Sequence, residues 1–114
     1  MKKEYYFNYD NYEAECTFIV DTDKFTSEHA KATLEFFTWK YNKKADPIDE
    51  VLKKYAIEAI KISSKYNYNT YGVIHEFEDH EGFCKIDGSM GITLTAINSF
   101  EFEDDQLEMK ISNL

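Results

Sequence analysis

The chain has 114 residues, of which 22 are acidic and 13 are basic, so its formal net charge is −9. A protein of this sign repels the phosphate backbone, and direct binding of DNA or RNA is therefore not expected. All of the basic residues are lysines, so the chain also lacks the planar guanidinium group that binds phosphate through paired hydrogen bonds. The negative charge is better explained by binding to a basic partner protein, or simply by a contribution to solubility.

The length fits a single globular domain that covers residues 1–114. Nine Tyr and nine Phe residues supply enough apolar surface for a core without disulfides or a bound metal. The chain has two cysteines, no apolar signal segment and no apolar run long enough to span a membrane. We therefore expect a cytoplasmic protein with reduced thiols, no membrane association and no cofactor.

The first part of the chain predicts an antiparallel β-hairpin. Residues 4–9 are aromatic and β-prone, and Asp10-Asn11 is a turn-forming pair. From residue 13 to residue 20, apolar side chains alternate with polar ones, which is typical of a strand with one buried face. The residues expected on that face are Ala14, Cys16, Phe18 and Val20.

Two helices are predicted next. Thr26 or Ser27 can cap the first helix, which we expect to end near residues 42–44. Asp46 and Pro47 suit the start of the second helix, which should run to about Tyr66. Because only a few residues would separate the two helices, we expect an antiparallel αα-hairpin. Its apolar stripes comprise Ala30, Leu34, Phe37 and Tyr41, then Ile48, Val51, Leu52, Tyr55, Ala59 and Ile62.

Residues 70–80 fit either a short helix or a strand. A helix capped by Thr70 would turn Val73, Ile74 and Phe77 inward and end at Gly82. Alternation of the apolar side chains also fits a strand, but we favour the helix.

A second hairpin is predicted near the end of the chain. Ile92, Leu94 and Ala96 alternate with polar residues, a turn follows at 103–106, and alternation resumes from Leu107 to Ile111. Two hairpins around a helical hairpin predict an α+β fold. Its antiparallel sheet of about four strands would carry the helices on one face.

A glycine-rich stretch at residues 81–92 stands out. Gly82, Gly88 and Gly91 do not have the spacing of a dinucleotide-binding or phosphate-binding loop, and a strand follows them. Asp87-Gly88 is a strong tight-turn signal, so the simplest interpretation is a structural corner.

Ligand-binding chemistry is the alternative for this region. His75 and His80 lie in an acidic segment and could hold a metal if a third ligand came from elsewhere, although the spacing is not that of a zinc peptidase. Cys84 could act as a nucleophile beside one of these histidines. A solvated acidic segment and a packed cysteine are the simpler interpretations. The candidate ligand-binding residues are His75, His80, Glu81, Cys84 and Asp87, and no metal ligands or catalytic residues are assigned.

Acidic clusters provide the candidate partner-binding surface. Residues 21–23 and 101–105 lack the twelve-residue loop of an EF-hand, so solvated turns are expected there. Together with Glu13, Glu15 and residues 76–81, the second cluster would form one continuous acidic surface. The residues predicted to contact a partner are Glu101, Glu103, Asp104 and Asp105.

Several short motifs carry a family resemblance. They are Val20-Asp21-Thr22-Asp23, Glu81-Gly82-Phe83, Asp87-Gly88-Ser89-Met90-Gly91-Ile92 and Phe100-Glu101-Phe102-Glu103. From about Cys16 to Ile111, the chain resembles a family of short, acidic bacterial proteins catalogued as a domain of unknown function. The resemblance implies a bacterial origin and brings no activity or catalytic residues with it.

Two functional hypotheses follow. The first is a non-enzymatic interaction protein that binds a basic partner protein. That partner could be a nucleic-acid-binding protein, in which case the acidic surface would mimic the charge of nucleic acid. The second is a small-ligand or metal-binding protein, or a minor enzyme, with its site at residues 81–92. A pocket that gathers several of the candidate side chains would favour the second hypothesis, and a uniformly acidic face would favour the first.

Overall fold

The fold is α+β and is built on an open, three-stranded antiparallel sheet. A computed structural model describes residues 1–9, 14–37, 40–98 and 108–113. The strands of the sheet are ordered β1-β2-β3. In chain order, the elements are β1 (Lys2–Tyr9), β2 (Ala14–Asp21), α1 (Ser27–Phe36), α2 (Pro47–Tyr66), α3 (Thr70–Phe77) and β3 (Ile92–Asn98).

The first hairpin is confirmed. Strands β1 and β2 pair antiparallel, with Tyr5 opposite Phe18, and β2 forms the centre of the sheet. Side chains of β2 alternate strictly between buried and half-buried, as expected for a strand with one face on the core. The buried side chains are the predicted ones, Ala14, Cys16, Phe18 and Val20.

Helix α2 is the element against which the others pack. It begins where the sequence predicted, because the Asp46 carboxylate accepts the Ile48 N–H at 2.9 Å and Pro47 occupies the first turn. It ends at Tyr66, and Asn67 follows in the left-handed conformation with φ 56°. Helix α2 contacts α1, α3, β2 and β3, and the whole predicted stripe from Ile48 to Ile62 is buried.

Helix α1 is shorter than predicted. Thr26 caps it by accepting the His29 N–H, and Ala30 and Leu34 are buried, but the helix ends at Phe36 instead of near residues 42–44. The backbone N–H of Asn42 donates to the carboxylate of Glu50 at 2.8 Å. This bond places Asn42 in the connection between α1 and α2, outside the helix that the sequence predicted for it.

Glu50 is a structural residue that the sequence analysis did not identify. Its side chain is only 6% exposed, and one carboxylate oxygen accepts the Asn42 N–H. The other oxygen lies 2.7 Å from the Lys53 ammonium. The hydrogen bond from Lys53, followed by the one from Asn42, lowers the pKa of Glu50. Glu50 therefore ties residues 40–45 to the first turn of α2.

The antiparallel αα-hairpin is not confirmed. Helices α1 and α2 are in contact, but residues 37–46 connect them, which is a longer connection than the few residues predicted. The longer connection follows from the early end of α1. The relative direction of the two helices stays a prediction.

Residues 70–77 form a helix and not a strand, so the favoured interpretation is confirmed. Val73 and Phe77 are buried on one face of α3. Two details were wrong. Asn69 caps the helix in place of Thr70, since its side chain accepts the Gly72 N–H at 3.0 Å. Gly82 has φ +87°, but it lies beyond further turns and does not end the helix.

The second hairpin is confirmed only in its first strand, β3, which pairs antiparallel with β2. The predicted turn at 103–106 and Leu107 lie outside the described residues. Residues 108–113 have no regular secondary structure, and Met109 and Ile111 are 82% and 80% exposed. Alternating apolar and polar side chains form a strand only where the edge of a sheet is available for pairing and one face becomes buried. The described sheet therefore has three strands and not about four.

Across the four ranges that the structure describes, no helix has the length and apolar character needed to cross a membrane.

The buried positions of Leu34 and Leu52 predict a large loss of stability when either is shortened. Both side chains are fully buried, so Leu34→Ala or Leu52→Ala should each cost about 2–5 kcal/mol of the free energy of unfolding. The exposed control, Lys43→Ala, should stay within about 0.5 kcal/mol of the wild type. Urea unfolding measures all three, and equal small losses would contradict the assigned core.

Glu50 predicts a pH-dependent contribution to stability. Because its folded-state pKa lies below the ordinary value of 4.5, the contribution is complete above that value and is lost as the pH falls through the folded-state pKa. The difference in unfolding free energy between the wild type and Glu50→Gln should therefore shrink as the medium is acidified below pH 4.5. The exposed control Glu4→Gln should show no such trend in chemical denaturation across this range.

Candidate functional site

The glycine-rich corner forms a tight turn that leads into β3. The Gly88 N–H donates to the carbonyl of Ile92 at 2.9 Å, and the Leu94 N–H donates to the carbonyl of Ile86 at 3.0 Å. One oxygen of the Asp87 carboxylate accepts both the N–H of Ser89 at 2.9 Å and its hydroxyl at 2.6 Å. These bonds lower the pKa of Asp87. The carboxylate thus has a local structural use.

All three glycines of this corner have positive φ, and Gly88 and Gly91 each lie close to atoms of other residues. Gly88 has φ +98°, and a Cβ there would lie 2.9 Å from the hydroxyl oxygen of Thr93. Gly91 has φ +96°, and a Cβ there would lie 2.7 Å from the backbone nitrogen of Phe25 and 3.1 Å from the carbonyl oxygen of Asp21. The corner is therefore packed onto the end of β2.

An aromatic cluster joins the corner to the helices. The Phe83 ring lies 4.9 Å from the ring of Tyr55, 5.3 Å from that of Phe77 and 5.4 Å from that of Phe37, measured between ring centroids. The His80 imidazole stacks on Phe83 at 4.9 Å. Such pairs add stability beyond the area they bury, so residues 80–83 are held firmly against α2 and α3.

Cys84 lies beside this cluster and is held by Tyr55. The backbone N–H of Cys84 donates to the Tyr55 hydroxyl at 2.9 Å, and that hydroxyl donates to the Cys84 sulfur at 3.3 Å. Burial raises the pKa of the Cys84 thiol, and burial raises that of Cys16 to about 12. A raised pKa disfavours the thiolate that a nucleophile requires. Both thiols are free.

The two candidate histidines have different surroundings. His75 lies on the exposed side of α3, and its Nδ1 is 3.4 Å from a carboxylate oxygen of Glu78. The Nε2 of His80 lies 2.9 Å from a carboxylate oxygen of Glu58 on α2. Because α3 ends at Phe77, His80 lies outside the helix that carries His75. Within the described residues, neither histidine is hydrogen-bonded to Cys84.

A groove between α2 and α3 was missed by the sequence analysis. Its volume is about 320 Å³, and the His80–Glu58 pair lies along it. The sequence does show a mostly polar stripe with helical spacing on α2. It does not show that His80 packs beside this stripe, because that contact depends on the fold. The lining residues are Glu58, Lys61, Ile62, Lys65, Tyr66, Glu76 and His80.

The five candidate ligand-binding residues do not converge on one point. His75 pairs with its own helix, His80 faces α2, Cys84 bonds to Tyr55, and Asp87 bonds to Ser89. Glu81 is exposed in the turn between α3 and the corner. In the described ranges, no three His, Cys, Asp or Glu side chains are grouped closely enough to hold a metal ion.

The acidic surface is described only in part. Residues 76–81 carry four exposed carboxylates, from Glu76, Glu78, Asp79 and Glu81. Glu13 and the predicted partner-binding residues lie outside the described residues. Those predicted residues are Glu101, Glu103, Asp104 and Asp105.

Comparison with known proteins identifies the family. Residues 16–109 match the family model described as "Protein of unknown function (DUF2528)". The chain belongs to this family. The match covers β2, all three helices, the corner and β3, so it includes every candidate ligand-binding residue, and it confirms the resemblance noted in the sequence.

Two relatives of this DUF2528 chain come from a bacteriophage and a bacterial prophage. One is "Protein ea10" of Escherichia phage lambda, and the other is "Lambda prophage-derived protein ea10" of Escherichia coli O6:H1 (strain CFT073). Each is 31% identical over 117 aligned residues, which cover 95% of this chain and 95% of the relative. No solved structure matches the chain.

The corner geometry predicts a ranking of three substitutions. Gly91→Ala should destabilise most, because its Cβ would meet backbone atoms that cannot move independently. Gly88→Ala should cost more than about 1 kcal/mol, because of its positive φ, but less than Gly91→Ala, since a hydroxyl can rotate away. Asp87→Asn should leave the melting temperature close to that of the wild type, because Asn keeps the acceptor oxygen for Ser89.

Thermal unfolding tests this ranking, and titration with Ca²⁺ and Zn²⁺ tests the alternative. If Asp87→Asn keeps its stability but loses a metal that the wild type binds, the corner is a ligand site and not only a turn. A Gly91→Ala variant as stable as the wild type would contradict the close packing against Phe25.

Proposed function

We propose that this chain is a non-enzymatic interaction protein of the bacterial cytoplasm that engages a basic partner protein. The observation that carries the proposal is the exposed acidic segment at residues 76–81 in a chain of net charge −9 without arginine. Glu76, Asp79 and Glu81 are exposed and form no ion pair with any residue in the described ranges. Their charges are therefore available to an outside cation.

The structure around the segment supports its use as a contact surface. The adjacent residues are anchored, because His80 bonds to Glu58 and Phe83 packs among three aromatic rings. The anchored backbone keeps these carboxylates within one short surface segment, which reduces the backbone entropy lost on binding. Fixed surface charges of one sign also steer an oppositely charged partner towards the site.

The chemistry of the candidate catalytic groups gives less support to an enzyme. The thiol of Cys84 is half-buried and has a raised pKa, and the carboxylate of Asp87 is occupied by Ser89. A catalytic pair requires a nucleophile and a base in hydrogen-bond contact. The described lining of the α2–α3 groove contains no Cys, Ser or Thr.

A nucleic-acid-binding protein is the partner class that we propose to test first. Such proteins present lysine and arginine to phosphate, and a row of carboxylates offers them a similar charge. The relatives are named as a phage protein and a prophage-derived protein, so both the phage and its bacterial host can supply the partner. In this proposal, the acidic surface competes with nucleic acid for the basic site.

The first experiment identifies the partner. The full chain serves as bait in extracts of bacteria that carry a lambda-type prophage and of bacteria that lack one, at low and at high salt. A captured basic protein must then be purified and shown to bind the chain directly. Competition with a DNA or RNA duplex tests the proposed mimicry, because a mimic and nucleic acid cannot occupy one basic site together.

Charge reversal predicts a change in association rate. Asp79→Lys with Glu81→Lys should slow association with the partner more than it speeds dissociation, because long-range attraction acts before contact. The same is expected of Glu101→Lys, Glu103→Lys and Asp104→Lys. Binding of the wild type should weaken steeply with salt, since the Debye length is only about 8 Å at physiological ionic strength.

A matched control separates a local effect from one of net charge. Glu4→Lys with Glu108→Lys changes the total charge as much as the first pair does, at two exposed positions outside residues 76–81. Surface plasmon resonance at several salt concentrations measures both rate constants. An affinity that does not change with salt would contradict an electrostatic partner surface.

A further inference from the structure

A shallow, wide-open apolar groove lies between the last turns of α1 and the turn that follows α3. Its volume is about 330 Å³, and it is lined by Ala32, Thr33, Phe36 and Gly82. Phe36 is 70% exposed, although it is one of the largest apolar side chains on α1. Exposed apolar surface that is gathered in a groove is typical of a contact site.

Gly82 shapes one wall of this groove. It has φ +87°, and a Cβ at this position would lie 1.8 Å from the ring of Phe37. The Phe37 ring therefore lies directly on the backbone of Gly82, and it meets the Phe36 ring edge-on at 5.1 Å. These contacts bring the end of α1 and the turn after α3 together, so the groove is part of the packed structure.

Exposed carboxylates lie close in sequence to the residues that line the groove, on α1 and in the turn after α3. Glu81 directly precedes Gly82, and Asp79 lies in the same turn; both are exposed. On α1, Glu28 lies one turn before Ala32, and Glu35 is adjacent to Phe36. Lys31 is the one lysine within α1. Four carboxylates and one lysine therefore lie within one turn or within three residues of the lining residues, which gives this part of the surface a net negative charge.

We propose that this groove receives a large apolar side chain from a basic segment of the partner protein. Lysine or arginine residues that flank the apolar side chain would meet Asp79 and Glu81 on one side and Glu28 and Glu35 on the other. The inference rests on the proposed function and gives the partner segment a pattern, in which one bulky apolar residue lies between cations. An apolar anchor within a polar border is the usual composition of an interface centre.

Charge decides between this occupant and others. A second copy of the chain also carries −9 and would bring like charges to the same part of the surface. A small uncharged apolar ligand would gain nothing from the carboxylates. A basic amphipathic segment uses both the groove and these carboxylates, so it fits the two observations together.

The test uses two synthetic peptides of equal length and equal lysine content. One peptide carries a central Phe between lysines, and the other carries a central Ser. Each is titrated at low salt into the ¹⁵N-labelled full chain. We expect the Phe peptide to bind at least about tenfold more tightly, as the burial of one aromatic side chain allows. The largest amide shifts should fall on Ala32, Thr33, Phe36 and Gly82.

Substitution of Ala32 separates the groove from the charge. Ala32→Gln fills the groove at an exposed position, so the fold should be kept, and the tenfold difference between the peptides should disappear. Ala96→Gln makes the same change at an exposed position on β3 and should leave the difference intact. Asp79→Asn with Glu81→Gln should weaken both peptides by a similar factor and preserve their ratio.

The outcomes distinguish this inference from the proposed function. Equal binding of the two peptides, with strong salt dependence, would overturn the groove and leave the acidic surface in place. Amide shifts that lie away from Ala32 and Gly82 would do the same. If neither peptide binds at low salt, the acidic surface does not attract basic segments, and both proposals fail.

Discussion

The side chain of Tyr55 is 1% exposed, so its hydroxyl has to find hydrogen-bond partners inside the protein. It finds both at Cys84, where it accepts the backbone N–H and donates to the sulfur. Its ring also contacts Phe25 before α1, Phe77 on α3 and Phe83 near the corner. One residue in the middle of α2 therefore positions three separate parts of the chain. The glycine-rich corner, the acidic segment at residues 76–81 and the groove between α1 and the turn after α3 all depend on that arrangement.

Patterns within short stretches of the sequence correctly predicted those elements that are determined by neighbouring residues. The alternation in β2 and the cap formed by Asp46 and Pro47 are examples, since each acts within a few residues. The failures involve partners that are distant in sequence. The Asn42 N–H bonds to the Glu50 carboxylate on α2, and His80 pairs with Glu58 on a neighbouring helix. No periodicity within a single segment contains that information.

Charge and aromatic content have separate roles in this protein. The buried side chains around α2 are mainly aliphatic, with Tyr55 and Phe77 among them, and the described acidic residues other than Glu50 lie at or near the surface. Glu50 is the buried one among the described carboxylates, and its two oxygens face the Asn42 N–H and the Lys53 ammonium. The contrast is useful when relatives in the DUF2528 family are compared. A carboxylate kept at the position of Glu50 would fit its structural contacts, whereas carboxylates kept at 76–81 would be expected if the proposed partner surface is correct.

The pairing of β2 with both of its neighbours has a consequence for how the chain folds during synthesis. Strand β1 precedes β2 and can pair with it as soon as both leave the ribosome. Strand β3, which places Ile92 beside Val20, arrives only after all three helices have been made. Throughout that interval the second edge of β2 is without its native partner, and it is an available template for another chain.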